Sequence, residues 1–105
     1  MQIQVNTDNH TEGSHELTES ARELVQDKLR RFADRITRVE IQLTDENSSA
    51  KAGPNDIRCV MEARMSGMQP ISVTDRGDSP EDALRGAAGK LQRLIESTLG
   101  KLGKR

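Results

Sequence analysis

Aromatic residues are nearly missing from this chain: among 105 residues there is one Phe and no Tyr or Trp. Sheets that stack single-stranded bases do so on exposed aromatic rings. That mode is closed here, so any contact with RNA has to run through backbone, shape and charge. Cysteine is equally scarce. Cys59 is alone and has no partner for an internal disulfide, which removes the disulfide scaffold of small secreted domains and makes the cytoplasm the expected location. No apolar run approaches the ~18 residues that read as a membrane span. The opening Met1-Gln2-Ile3-Gln4 carries neither the basic region nor the apolar stretch of a signal peptide, and no membrane partner is expected. Apolar residues amount to only 32%. The expectation is one small domain over residues 1–105 with a thin core over about 2–99, a tail at 100–105, and modest stability.

Constellations for chemistry are also lacking. His10 and His15 are five apart in a polar stretch, a spacing that suits neither a strand face nor a helix face. No Cys/His cluster has metal-ligand spacing, and there is no glycine-rich phosphate loop. Cys59 shares the alternation of Ile57 and Met61 and reads as a core residue, as do Met61 and Met65. An enzyme is therefore not expected, nor a cofactor, a metal or a small-molecule substrate.

What the chain does have is clean periodicity. Ile3 and Val5 alternate with Gln2, Gln4 and Asn6, the period of a half-buried strand. The apolar spacing of Ala21, Leu24, Val25, Leu29, Phe32 and Ile36 predicts a helix over about 18–35, with Thr18 as its cap. Val39, Ile41 and Leu43 form a second alternation, and Ile57 through Met65 a third. Ile71 and Val73 begin a short fourth strand before Arg76-Gly77. The segments 7–15 and 45–55 read as loops. Ser79-Pro80, with Asp82 three residues after the serine, marks the clearest helix start. The stripe Leu84, Ala87, Ala88, Leu91, Leu94, Ile95 carries this helix to about 99. Gly86 and Gly89 make a small-residue patch with the two alanines, suited to packing against the first helix or to close approach of a ligand backbone. The order β-α-β-β-β-α, with one apolar face per strand, predicts an α+β fold: a four-stranded sheet with two helices packed on one face.

Charge is blocked rather than mixed. Residues 1–27 hold six acids and one base, and 28–38 five bases and one acid. Residues 39–82 hold nine acids and four bases, and 83–105 six bases and one acid. A chain of net charge −1 can thus present a basic face. At helical spacing Lys90, Arg93, Ser97, Lys101 and Lys104 fall on one stripe of the last helix, and Lys28, Arg31 and Arg35 on one stripe of the first. Two such flanks could frame a groove for a phosphate backbone. Equally, long basic side chains commonly border the apolar face of an amphipathic helix.

These residues resemble a known family, the ribosome hibernation-promoting factors and ribosome-associated translation inhibitors, also called sigma modulation proteins. Leu17-Thr18-Glu19-Ser20-Ala21-Arg22-Glu23-Leu24-Val25 is similar to the family's Ile-Thr-Glu-Ala-Leu-Arg-Glu entry into its first helix. Lys28-Leu29, Arg31 and Asp34-Arg35-Ile36 look like its continuation, and Lys90-Leu91-Gln92-Arg93 like its Lys-Leu-x-Arg. The family's lysine-rich run after that motif is interrupted here by Ile95-Glu96-Ser97-Thr98. The resemblance implies a fold like a double-stranded-RNA-binding domain with an extra first strand, in the short form of the family. It implies binding to the small ribosomal subunit in the channel used by messenger and transfer RNA, with inhibition of translation and ribosome hibernation. It makes Lys28, Arg31, Arg35, Lys90, Arg93 and Lys101 the candidates for ribosomal RNA contact, by phosphate neutralisation rather than base reading. A protein-binding adaptor that uses the acidic faces or the wet face of the sheet is the alternative.

Overall fold

The alternating segments pair as their parity demands. In the computed structural model, which describes residues 1–8, 15–46 and 56–103, β1 (Gln2–Thr7), β2 (Ile36–Asp45), β3 (Ile57–Met65) and β4 (Ile71–Gly77) form one sheet in the order β1-β2-β3-β4. β1 lies parallel to β2, and the other pairs are antiparallel. Parallel neighbours need a crossover, which α1 (His15–Lys28) supplies; α2 (Pro80–Gly103) follows β4. Both helices cover the same face. Val39, Ile41, Leu43, Cys59, Met61 and Ala63 are fully buried beneath Ala21, Val25, Leu29, Leu84, Leu91 and Ile95. The α+β architecture expected from the periodicity is the one observed.

The first helix differs from the expectation at both ends. It starts at His15, so Thr18 lies inside the helix and Leu17 is buried. It ends at Lys28 rather than near 35, because Leu29 leaves helical geometry (φ −106°, ψ 14°) and a single 3-10 turn over Arg30–Phe32 takes over. The spacing of Leu29, Phe32 and Ile36 suits a continued helix on paper. A 3-10 turn also brings positions three apart onto one side, and here it turns Leu29 into the core and leaves Phe32 half-buried. Ile36 then opens β2 opposite Met65. A bulge between Ile36 and Arg38 lets Ile36 and Val39, three apart, both face the core.

α2 starts as its cap predicts. Ser79 Oγ accepts from the Asp82 N–H (3.1 Å), and the Ala83 N–H donates to the Ser79 carbonyl (3.1 Å). The helix does not stop at 99 but runs through Gly100 to Gly103. β4 also exceeds its expected length, taking in Arg76 and Gly77. Gly67, with φ +72°, makes the tight turn between β3 and β4 in a conformation that side chains rarely adopt. The greater part of the two expected loops, residues 9–14 and 47–55, with His10 and Lys104, lies outside the described residues.

Candidate nucleic-acid interface

Topology converts the charge blocks into two ends of the molecule. β1, β2 and β4 run in one direction. Both helices run back along them and beside each other. Ser20 and Leu24 of α1 flank Glu81, Leu84 and Arg85 at the start of α2, while Arg31 reaches Glu96 near its far end. The C-terminal ends of both helices and the starts of β1 and β2 therefore share one end. Lys28, Arg30, Arg31, Arg35, Arg93 and Lys101 sit there, with Asp27, Asp34 and Glu96 among them. Glu16 and Glu19, Asp78, Glu81 and Asp82, and Asp45, Glu46 and Asp56 mark the opposite end. Acids at helix starts and bases at helix ends also complement both helix dipoles.

The six candidates differ in what their charge is doing. Lys28 is half-buried as the last residue of α1. Arg31, exposed in the 3-10 turn, lies over the Phe32 ring at 5.1 Å and pairs with Glu96 at 3.0 Å. Arg35 is exposed just before β2, its carbonyl accepting from the Ser66 N–H (3.1 Å). Arg93 is exposed on the outer side of α2, and Lys101 is exposed in its last turns. Among the described residues Lys28, Arg35, Arg93 and Lys101 have no carboxylate partner. Lys90 is different. Its Nζ donates to the Thr74 carbonyl (3.0 Å) and lies 3.5 Å from Asp75 Oδ1.

The stripe expected on the first helix is not formed, since α1 ends at Lys28 while Arg31 stands in the 3-10 turn and Arg35 just before β2, and the two basic sets do not face each other across the helix pair. α2 turns Glu96 and Arg85 towards α1 and its Lys90 flank towards β4. The structure brings Arg31 onto α2 and places Lys90 elsewhere. Gly86 is explained by the same flank. It does not serve contact with α1; a Cβ there would collide with the Asp75 carboxylate, whose Cγ would lie 2.9 Å away. Asp75 in turn accepts from the Arg76 N–H at 2.8 Å. β4 is an edge strand, and the inward Asp75 with Lys90 beside it places charge along that edge, which opposes strand addition. Nothing local in the sequence announces this cluster, since Asp75 and Lys90 belong to different elements.

The wet face of the sheet offers little net charge. Arg38 pairs with Glu40 (3.0 Å), and Arg64 lies within 3.8 Å of Glu40 and 3.4 Å of Glu62. Arg76 bridges Glu46 and Asp56, and Arg58 lies 3.6 Å from Glu46. Chemistry has no better footing. Cys59 is fully buried, and burial, with the nearby Asp75 charge adding to it, pushes its thiol up to about 12. Among the described residues no group of His, Cys, Asp and Glu could hold a metal ion, and no helix is long and apolar enough to cross a membrane.

Comparison with known proteins places this fold. Among solved structures, the Protein Y N-terminal domain of Thermus thermophilus superposes with a TM-score of 0.68 at 17% identity, covering 93% of this chain and 99% of that one. A ribosomal subunit interface protein from Coxiella burnetii gives 0.62 at 19% identity, covering 100% of both chains. No curated protein matches in sequence. Residues 9–103 match the family model described as sigma 54 modulation protein / S30EA ribosomal protein. With that match over most of its length, and the β-α-β-β-β-α fold beneath it, the chain belongs to the sigma 54 modulation protein / S30EA ribosomal protein family.

Proposed function

We propose that this protein binds the small ribosomal subunit through the phosphates of its RNA, and that by occupying the channel for messenger and transfer RNA it inhibits translation and promotes hibernation. One observation carries the reading: a family member gathers Lys28, Arg35, Arg93 and Lys101 at one end with no carboxylate partner among the described residues. Arg31 joins them whenever a phosphate outcompetes Glu96. Lys90 serves β4 in this scheme and contributes to the field rather than to a direct contact. Cations without a carboxylate partner, set on different elements, suit phosphate neutralisation and not base reading. With no exposed aromatic platform, single-stranded stacking contributes nothing.

Co-sedimentation with purified bacterial small subunits over a series of salt concentrations tests the proposal. Affinity should fall steeply with salt, because each neutralised phosphate releases counterions. Arg93→Glu/Lys101→Glu should bind at least roughly tenfold more weakly and lower the salt slope by about two. Lys90 is a poor choice for this test, since a glutamate there would face Asp75 and disturb the fold. Binding that ignores salt, or a double variant that sediments like wild type, would overturn the proposal.

A further inference from the structure

Beside β1 lies a polar crevice of about 430 Å³ that the six candidates do not touch. Gln2 and Gln4 of β1, Arg38 of β2, and Arg22 and Gln26 of α1 line it. The two guanidinium groups are in different states. Arg38 is held from three sides, by Glu40 at 3.0 Å, by Gln2 Oε1 at 3.5 Å and by Gln4 Oε1. Arg22 is half-buried and has no hydrogen-bond or ion-pair partner among the described residues. Of the neighbouring acids of α1, Glu19 lies 3.9 Å from His15, and Glu23 lines a separate depression with Asp27 and Arg30.

From this we infer that the crevice is a phosphate subsite, with Arg22 as its anion-binding group, which extends the RNA interface proposed above around the β1 edge. A half-buried guanidinium presents a planar fork that matches phosphate oxygens. The Gln26 amide and the Gln2 amide nitrogen add neutral donors beside it, and Arg38, fixed by its own partners, forms a rigid wall. Position supports continuity. Gln2 pairs in register with Arg38, so the crevice opens at the end of the sheet where α1 closes. Arg22 precedes Lys28 by six residues of α1, about 9 Å of rise and about 120° around the axis, so a nucleic-acid strand that reaches Lys28 has to pass round the end of α1 towards the β1 edge to meet Arg22. The lining is mostly amide and guanidinium, with Met1 and Ile3 as its apolar members, which fits a phosphodiester better than a protein segment seeking a hydrophobic anchor.

The test rests on the ribosome-binding reading and separates from it. Small-subunit co-sedimentation is run with wild type, Arg22→Gln, Arg22→Lys, Gln26→Glu and the Arg93→Glu/Lys101→Glu variant, after each has been shown to melt cooperatively. Arg22→Gln should weaken binding by roughly threefold to tenfold and lower the salt slope by about one. Arg22→Lys should restore the slope, because it keeps the charge and loses only the fork. Gln26→Glu, at an exposed position four residues after Arg22, should weaken binding both by repelling phosphate and by pairing with the Arg22 guanidinium. If Arg22→Gln and Gln26→Glu bind like wild type while Arg93→Glu/Lys101→Glu fails, the subsite is wrong and the main interface stands. If wild type does not sediment at any salt, both are wrong. If Arg22→Gln binds subunits normally but loses a protein partner, the crevice serves a polypeptide and the inference falls.

Discussion

Gly86 shows how one residue can carry a structural task that its own element would reject. A glycine inside a helix costs about 1 kcal/mol relative to alanine, and α2 accepts that cost where Asp75 of β4 comes closest. Asp75 needs the space because it sits between the Arg76 N–H and Lys90. Gly86→Ala should therefore lower stability, by about 1 kcal/mol net, since expulsion of the carboxylate outweighs the gain in helix propensity. In an Asp75→Ala background the same change should become stabilising by up to about 1 kcal/mol. Urea unfolding of the four proteins in a double-mutant cycle reads both signs. A Gly86→Ala change that is stabilising in wild type would dismiss the Asp75 account. Lys90 illustrates what a sequence motif leaves out. It sits in a stretch similar to Lys-Leu-x-Arg, and its ammonium is nonetheless taken up by β4.

At the scale of elements, what was legible followed from burial on one face. The alternation of β1 and β3 and the Ser79 cap of α2 were readable because each signal is local and single-valued. The four-stranded sheet with both helices on one face followed from them. The border between α1 and β2 was not readable. Leu29, Phe32 and Ile36 satisfy a helix and a helix-turn-strand equally, and only the register of Ile36 with Met65 and the following bulge decide. The end of α2 is not legible because Gly100 reads as a stop, while packing of Leu99 against the core holds the helix past it. Gly100 has no αL conformation, and a Cβ there would meet nothing within 4 Å. Gly100→Ala should accordingly stabilise the protein by about 0.5–1 kcal/mol, opposite in sign to Gly86→Ala on the same helix. Helix content by circular dichroism should hold or rise slightly. No change in stability would mean that the last turns of α2 do not form in the free protein, and a loss would mean that Gly100 takes a backbone conformation that alanine rejects. The candidate site was legible as residue types in a charge block; its geometry was not, because a stripe on a helical wheel does not say which neighbour it faces.

On the whole molecule, a net charge of −1 conceals a division into an acidic and a basic end. Such a division steers: a polyanion is drawn to one end and repelled by the other, so orientation is set before contact. The basic end is not uniformly basic. Glu96 stands within it, paired to Arg31 at 3.0 Å, with both side chains substantially exposed. An exposed pair of this kind adds little to stability, so its effect should appear in binding. Removing the carboxylate frees Arg31 and removes a repulsion from any phosphate held nearby. At about 7 Å in a water-like dielectric, that repulsion corresponds to roughly a two- to threefold change in affinity. Glu96→Gln should therefore bind small subunits more tightly than wild type at low salt, with the gap closing as salt screens the charge. Its melting temperature should be close to unchanged. Tighter binding at every salt concentration would point to a contact other than charge, and weaker binding would mean that Glu96 holds Arg31 in the pose that the RNA requires.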